Sequence, residues 1–186
     1  MTIGEPRFRL ERLGPHHDRA SFRSRREPTL EAYLVEDGRA LRENARAISA
    51  VYLLIENTNN LVAGYFTISN ATVVPASIPK PVARKLPTYD RWPAVKLGRM
   101  ARHDEYAGQR IGPILVARAF AIALEVAKKS ASFALLVDAK NPALAAWYAS
   151  LGFQPFTDAP LSLFILNRTM QEYVDQIAAA LRLDAG

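Results

Sequence analysis

Seven residues, Tyr106-Ala107-Gly108-Gln109-Arg110-Ile111-Gly112, join a strand-like stretch to an apolar helical run that opens at Pro113. The first N–H groups of a helix have no intrahelical partner, and the helix dipole places about half a positive charge there. Gly108 and Gly112 let the backbone curl close to a bound group, because glycine has no Cβ in the way. Pro113 suits a first helical position, where its missing N–H is not needed. Together these residues predict an anion-binding turn that could seat a diphosphate; an ordinary strand-to-helix turn uses the same residue types. Downstream of the strand-like Phe133-Ala134-Leu135-Leu136-Val137 stand Asn141, Tyr148 and Gly152-Phe153.

Those residues need a scaffold of alternating elements. Residues 7–13 alternate polar and apolar and read as a half-buried strand ended by Gly14-Pro15. Pro28-Thr29 marks a helix start with Thr29 as its cap, and Leu30, Tyr33, Leu34, Leu41, Ala45 and Ile48 form one apolar face that Gly38 splits into two helices. Residues 50–55 and 61–68 read as a hairpin around Asn57-Thr58-Asn59-Asn60. Five prolines within residues 75–93 predict a long loop without regular structure. Residues 94–101 are a strand in which Gly98 marks a bulge or a close backbone approach. Residues 113–127 are apolar nearly all round, which predicts a buried helix. Residues 162–166 read as a late strand, and 169–183 as a tail helix with Met170, Tyr173, Val174, Ile177 and Leu181 on one side.

This order of elements, with Asn141, Tyr148 and Gly152-Phe153 at their spacing, resembles the GNAT superfamily of N-acetyltransferases over nearly the whole chain. The resemblance implies one α/β domain over residues 1–186, with a mixed central sheet of about six or seven strands flanked by helices and a C-terminal tail helix. It implies acetyl-CoA as co-substrate and no metal. The family's helix-opening loop grips the coenzyme diphosphate; here that loop is Ala107, Gly108, Gln109, Arg110, Ile111, Gly112 and Pro113. Ala107 stands where the family has glutamine or arginine, and Arg110 where it has its first glycine. Arginine adopts a positive φ less cheaply than glycine, while its charge favours phosphate. By the same resemblance, Met100, Ala101 and Arg102 offer backbone groups to the pantetheine arm and to the thioester oxygen. Asn141 either binds that arm or caps the short helix ahead of Pro142. Tyr148 supplies the proton that the departing thiolate needs, since a phenol with a pKa near ~10 is protonated at neutral pH; a core aromatic is the plain alternative. No general base stands out, because Asp104 and Glu105 ahead of a helix also serve its dipole.

A narrower resemblance rests on Phe22, Leu30, Tyr33-Leu34, Gly64-Tyr65-Phe66-Thr67-Ile68-Ser69, Leu86-Pro87 and Leu97-Gly98-Arg99-Met100-Ala101. It points to the GNAT toxins of bacterial toxin–antitoxin pairs, which acetylate the amino group of aminoacyl-tRNA and stop translation. Where those toxins carry F-x-C-G, this chain has Phe22-Arg23-Ser24-Arg25. Implied partners are aminoacyl-tRNA as substrate, a cognate antitoxin that is a small DNA-binding protein, and a second copy in a homodimer. Two other functions fit the same residues: a GNAT enzyme for protein or small-molecule amines, and a non-catalytic module binding nucleic acid or a partner.

Composition narrows the classes. The 186 residues are 49% hydrophobic, enough for a full core, and carry a net charge of +6. The absence of cysteine excludes disulfides, a thiol nucleophile and thiolate metal sites. His16, His17 and His103 do not show metal-ligand spacing. No apolar run is long enough to span a membrane, and Met1-Thr2-Ile3-Gly4-Glu5-Pro6 lacks a leader's basic start and apolar core, so the expected location is the cytoplasm. Between Lys80 and Arg118, nine basic residues stand against three acidic ones, a balance equal to the net charge of the whole chain. Arg23, Arg25, Arg26, Arg84, Lys85, Arg91, Arg99 and Arg102 are candidates for gripping tRNA phosphates, contacts that position without reading sequence. Solvated surface arginine is the plain alternative. Tyr89 and Trp92 could stack on an unpaired base, or Trp92 could pack the proline loop.

Overall fold

The computed structural model describes residues 7–36 and 38–183, with side chains as far as residue 177; residues 1–6 and the Leu181 side chain lie outside the described residues. Seven strands form one mixed sheet: β1 (Phe8–Arg12), β2 (Ala50–Glu56), β3 (Val62–Val73), β4 (Trp92–Arg102), β5 (Ala134–Asp138), β6 (Gln154–Pro155) and β7 (Ser162–Leu166), in the order β1-β2-β3-β4-β5-β7-β6. The helices are α1 (Pro28–Val35), α2 (Arg39–Ala45), α3 (Lys80–Ala83), α4 (Ile111–Ser130), α5 (Pro142–Ser150) and α6 (Asn167–Leu183). β4 and β5 run parallel over Val95–Leu97 against Leu135–Val137, whereas β1-β2, β2-β3, β5-β7 and β6-β7 are antiparallel. The chain divides into two compact units, Met1–Ser69 with Gly98–Arg118, and Asn70–Leu97 with Ala119–Gly186.

The first unit buries Leu13, Phe22, Tyr33, Leu34, Ala40, Val51, Leu53, Ile55, Val62, Tyr65 and Ala101 in one cluster. Gly38 divides α1 from α2 as expected, adopting φ 59° at the start of α2. Thr29 does not cap α1. Proline at the first helical position moves the cap back to Glu27, whose carbonyl accepts from the N–H groups of Leu30 and Glu31 at 2.9 and 3.0 Å. Ile48 also departs from its predicted place: α2 ends at Ala45, and Ile48 is 62% exposed.

In the second unit a cluster of Val73, Ile78, Trp92, Ala94, Ala134, Leu136 and Phe164 lies against the proline-rich segment. That segment is more regular than its five prolines suggest. A 3-10 turn (Pro75–Ser77) and α3 each carry proline in their first turn, where a missing N–H removes nothing, and β4 already begins at Trp92. α4 is not apolar all round: Ile111, Leu115, Val116, Ala119, Phe120, Ala123 and Leu124 form a buried stripe, while Arg118 and Glu125 are exposed.

Buried tyrosines give the fold an alkaline limit. Burial pushes Tyr33 and Tyr148 up to about 12 from 10.0, and Tyr65 further in the same direction. A group whose folded pKa is raised stabilises below its unfolded value and loses that contribution as pH climbs to the folded one. Stability should therefore hold to about pH 10 and fall between about pH 10 and 12. Tyrosinate absorbance should rise together with unfolding; a tyrosine signal saturating near pH 10 in folded protein would contradict it.

Candidate active site

The helix-opening loop is held from below by a chain of polar contacts within the first unit. His103, at the end of β4, is buried; its Nδ1 accepts from Glu105 N–H at 3.1 Å and its Nε2 lies 3.0 Å from the Ser21 carbonyl. A ring with its proton on Nε2 satisfies both contacts. Tyr106 donates to Glu56 Oε2 at 2.7 Å, and Arg7 Nε donates to Glu56 Oε1 at 2.7 Å. These partners, the Tyr106 hydroxyl first and Arg7 next, hold the Glu56 carboxyl below the usual carboxylate range. Gln109 is tied down by Arg7 Nη2 at 2.7 Å and by the Glu105 carbonyl at 3.2 Å.

What this frame leaves free is backbone. Ile114 N–H bonds to the Arg110 carbonyl at 3.4 Å, but among the described residues the N–H groups of Gly108, Arg110, Ile111 and Gly112 have no acceptor. α4 starts at Ile111, so Pro113 sits third in the helix rather than first; its absent N–H is still one of those a helix start leaves over. Gly108 has φ 77° and Arg110 φ 57°. The position that asks for glycine is thus left-handed and filled by arginine, at a strain of roughly 1–2 kcal/mol. The Arg110 side chain is exposed and, among the described residues, makes no hydrogen bond or ion pair, so it leaves the turn open. Arg110→Gly should raise stability by up to about 1 kcal/mol, the relief of strain being partly offset by a freer unfolded chain. A denaturant melt checks this; a less stable variant would contradict it.

Gly98 is a close approach, but to a side chain rather than to the backbone that its place in the strand predicts. A Cβ there would meet Thr67 Oγ1 at 2.5 Å, and that hydroxyl accepts from Arg99 N–H at 2.8 Å. Met100, Ala101 and Arg102 follow on the last part of β4, beyond the register with β5, which ends at Leu97 and Val137.

In the second unit Asn141 caps α5, its Oδ1 accepting from Leu144 N–H at 2.8 Å. The capping reading is observed, and the side-chain NH2 is what Asn141 retains for a ligand. Tyr148 is 3% exposed, with its ring against Phe153 and Trp147 at centroid distances of 5.3 and 4.9 Å. The other buried tyrosines each spend their hydroxyl on a partner: Tyr33 on Glu43 at 2.9 Å, Tyr65 on the Leu30 carbonyl at 2.7 Å, Tyr106 on Glu56. Among the described residues Tyr148 alone of these four donates to nothing, and its oxygen is not among the fully enclosed unpartnered atoms. A buried phenol kept only for packing normally finds a partner, and this hydroxyl spends its proton on none of the described residues.

The basic candidates separate into different roles. Arg99 lies over the Tyr33 ring at 4.0 Å and reaches Glu43 at 3.4 Å, so its guanidinium is occupied in the fold. Arg23 bonds the Ala20 and Phe22 carbonyls at 2.6 and 2.7 Å, and Arg102 the His103 carbonyl at 3.1 Å. Arg25 is anchored by its N–H to Asp104 Oδ2 at 3.0 Å, which leaves its exposed side chain beside Arg26. Asp104 thereby ties the chain at Arg25 to the turn that follows β4. In the second unit Arg84, Lys85 and Arg91 are exposed, and Arg91 touches Thr72 Oγ1 at 3.5 Å. Trp92 is buried with its N–H on the Pro87 carbonyl at 3.0 Å, packing the proline segment, whereas Tyr89 is 64% exposed. Sequence reasoning did not connect Glu11 with His16 and His17, which the first unit brings together.

No protein-family profile matches the chain. Relatives in sequence include the "tRNA-acetylating toxin" of Mycobacterium tuberculosis, 28% identical over 157 residues (84% of this chain, 90% of that protein), and the "Probable toxin TacT" of Sinorhizobium fredii, 24% identical over 175 residues (87% and 92%). Among solved structures, AtaT complexed with acetyl-methionyl-tRNAfMet superposes with a TM-score of 0.79 and 28% identity, over 88% of this chain and 97% of AtaT. This chain is a relative of the GNAT-type toxins. AtaTR bound with acetyl-CoA matches with a TM-score of 0.73 and 27% identity over 88% of this chain and 96% of that one. The AtaT–AtaR complex bound to DNA matches at 0.67 and 25% over 88% and 97%. The solved toxins and this chain therefore share a fold over about nine-tenths of this chain. Among the described residues, no helix is long and apolar enough to cross a membrane.

Proposed function

We propose that this protein is an acetyl-CoA-dependent N-acetyltransferase that acetylates the amino group of aminoacyl-tRNA and so blocks translation as a toxin. The observation that carries this reading is the match over 88% of the chain to AtaT complexed with acetyl-methionyl-tRNAfMet. The free N–H groups of Gly108, Arg110, Ile111 and Gly112 fit a coenzyme diphosphate at the start of α4, with Ala107, Gln109 and Pro113 shaping the turn. Met100, Ala101 and Arg102 are assigned to the pantetheine arm, with an N–H for the thioester oxygen, and Asn141 contributes its amide NH2.

Acetyl-CoA supplies an acetyl group activated as a thioester. The neutral amine forms a C–N bond to the acetyl carbon, the C–S bond breaks, and the amine's surplus proton leaves to water. Tyr148 holds the proton for sulfur on its hydroxyl oxygen, and its pKa, raised by burial to about 12, keeps that oxygen loaded throughout the physiological range. No carboxylate is assigned as base, because the α-amine of an aminoacyl ester is already a weak base and can release its proton to water. Arg23, Arg25, Arg26, Arg84, Lys85, Arg91 and Arg99 are assigned to tRNA phosphates; the exposed Arg25, Arg26, Arg84, Lys85 and Arg91 should matter most, since Arg99 is engaged with Tyr33 and Glu43.

The reading extends to context. The substrate is met in the cytoplasm, a small DNA-binding antitoxin neutralises the toxin, and the protein works as a homodimer, the commonest closed assembly. Incubation with labelled acetyl-CoA and a set of charged tRNAs tests the core claim. Label on the aminoacyl end is expected; label on proteins or small amines alone would replace the substrate, and absence of acetyl-CoA binding by calorimetry would leave a non-catalytic module.

A further inference from the structure

Glu11, His16 and His17 meet where the chain leaves β1. One ligand atom from each lies within 4.8 Å of the other two. Several features hold them there. Residues 14–17 form a turn with Pro15 inside it, closed by His17 N–H to the Gly14 carbonyl at 3.3 Å. A Cβ at Gly14 would lie 2.8 Å from His16 Cε1, so the missing side chain makes room for the His16 ring. The two imidazoles lie 4.0 Å apart between centroids, and both present Nε2 to one oxygen, Glu11 Oε2, at 3.9 Å for His16 and 2.9 Å for His17. Arg9 Nε donates to the other oxygen, Oε1, at 2.5 Å and fixes the carboxylate plane.

We propose that these three side chains bind a divalent transition cation of the zinc, nickel and copper class. Two imidazole nitrogens and one carboxylate oxygen suit such ions, whereas magnesium and calcium prefer all-oxygen sets. The cation takes the place of the proton now shared between His17 Nε2 and Glu11. His17 then needs its proton on Nδ1, and the Gly14 peptide is already placed for that exchange. Its N–H lies 2.9 Å from Nδ1 and its carbonyl 3.2 Å from the same atom, so either tautomer finds a partner without movement of the chain. The His17 side chain is largely buried and fixed, while His16 is exposed and gives the ion access. Three protein ligands leave the remaining positions to water. The Arg9 guanidinium on Glu11 opposes a second cation, so the affinity should fall below that of a closed four-ligand site. The bound ion would tie the turn at 14–17 to β1 and stabilise the first unit by mass action, independently of the acetyl-transfer reading.

The test titrates untagged full-length protein with zinc chloride by calorimetry and with copper by electron paramagnetic resonance. One ion per chain, two nitrogen donors in the copper spectrum and a zinc-dependent rise in Tm are expected. His16→Ala changes an exposed side chain and keeps the fold; it and Glu11→Gln should each weaken binding by more than about tenfold and abolish the Tm rise. No saturable zinc binding by the parent protein, or unchanged binding in both variants, would overturn the assignment.

Discussion

Tyr148→Phe should lower the rate of acetyl transfer by roughly 10²–10⁴-fold and leave the Tm unchanged or slightly raised. The two effects separate because of how the side chain is held. Its ring packs on Phe153 and Trp147, and phenylalanine keeps those contacts. Its hydroxyl makes no hydrogen bond among the described residues, so deleting the oxygen leaves no partner stranded. Tyr106→Phe is the internal control. There the oxygen donates to the Glu56 carboxylate, and its loss should destabilise by about 1.5–3 kcal/mol. Steady-state transfer assays beside thermal melts check both substitutions. Full activity in Tyr148→Phe would remove the acid assignment, and a large drop in Tm would return Tyr148 to a packing role.

Gly64→Ala should reduce both stability and coenzyme affinity. An added Cβ would lie 2.9 Å from the Ala101 carbonyl oxygen, 3.0 Å from Leu115 Cδ1 and 3.2 Å from Ile111 Cγ2. The carbonyl belongs to β4 and cannot rotate away, so the backbone of β3 has to shift against β4, and the added Cβ also presses on Ile111 and Leu115 in the first turns of α4. That first turn carries the free N–H groups of Ile111 and Gly112, and displacing it misdirects them. Overpacking of this kind destabilises by about 1–3 kcal/mol, and acetyl-CoA affinity should fall by roughly tenfold or more. Gly98→Ala makes a useful contrast, because its nearest obstacle, Thr67 Oγ1 at 2.5 Å, is a side-chain hydroxyl that can move aside only by giving up its bond from Arg99 N–H, and neither Ile111 nor Leu115 is among its near neighbours. Calorimetry with acetyl-CoA and a denaturant melt measure the two effects of Gly64→Ala. Undiminished acetyl-CoA affinity in a folded variant would show that α4 does not take up the strain.

The sequence by itself determined what depends on neighbours along the chain. The turn at residues 106–112, the apolar run after it, the glycine break between α1 and α2, and the cap at Asn141 are local events, in which φ preferences and unpartnered N–H groups act over a few residues. The element order carried the resemblance to the GNAT superfamily for the same reason. Errors were also local in kind: proline shifted the cap from Thr29 to Glu27 and was absorbed in the first turns of a 3-10 turn and α3, because a helix start does not use the N–H that proline lacks. Only the tertiary structure decided which polar groups are already occupied. Arg99 finds Glu43, 56 residues away, and Arg25 finds Asp104, 79 residues away, while the Tyr148 hydroxyl finds nothing among the described residues. Glu11 likewise meets His16 and His17 only because the turn at 14–17 folds back on β1. Whether a side chain is free to do chemistry depends on partners that the chain delivers from a distance, and residue type and spacing do not encode that occupancy.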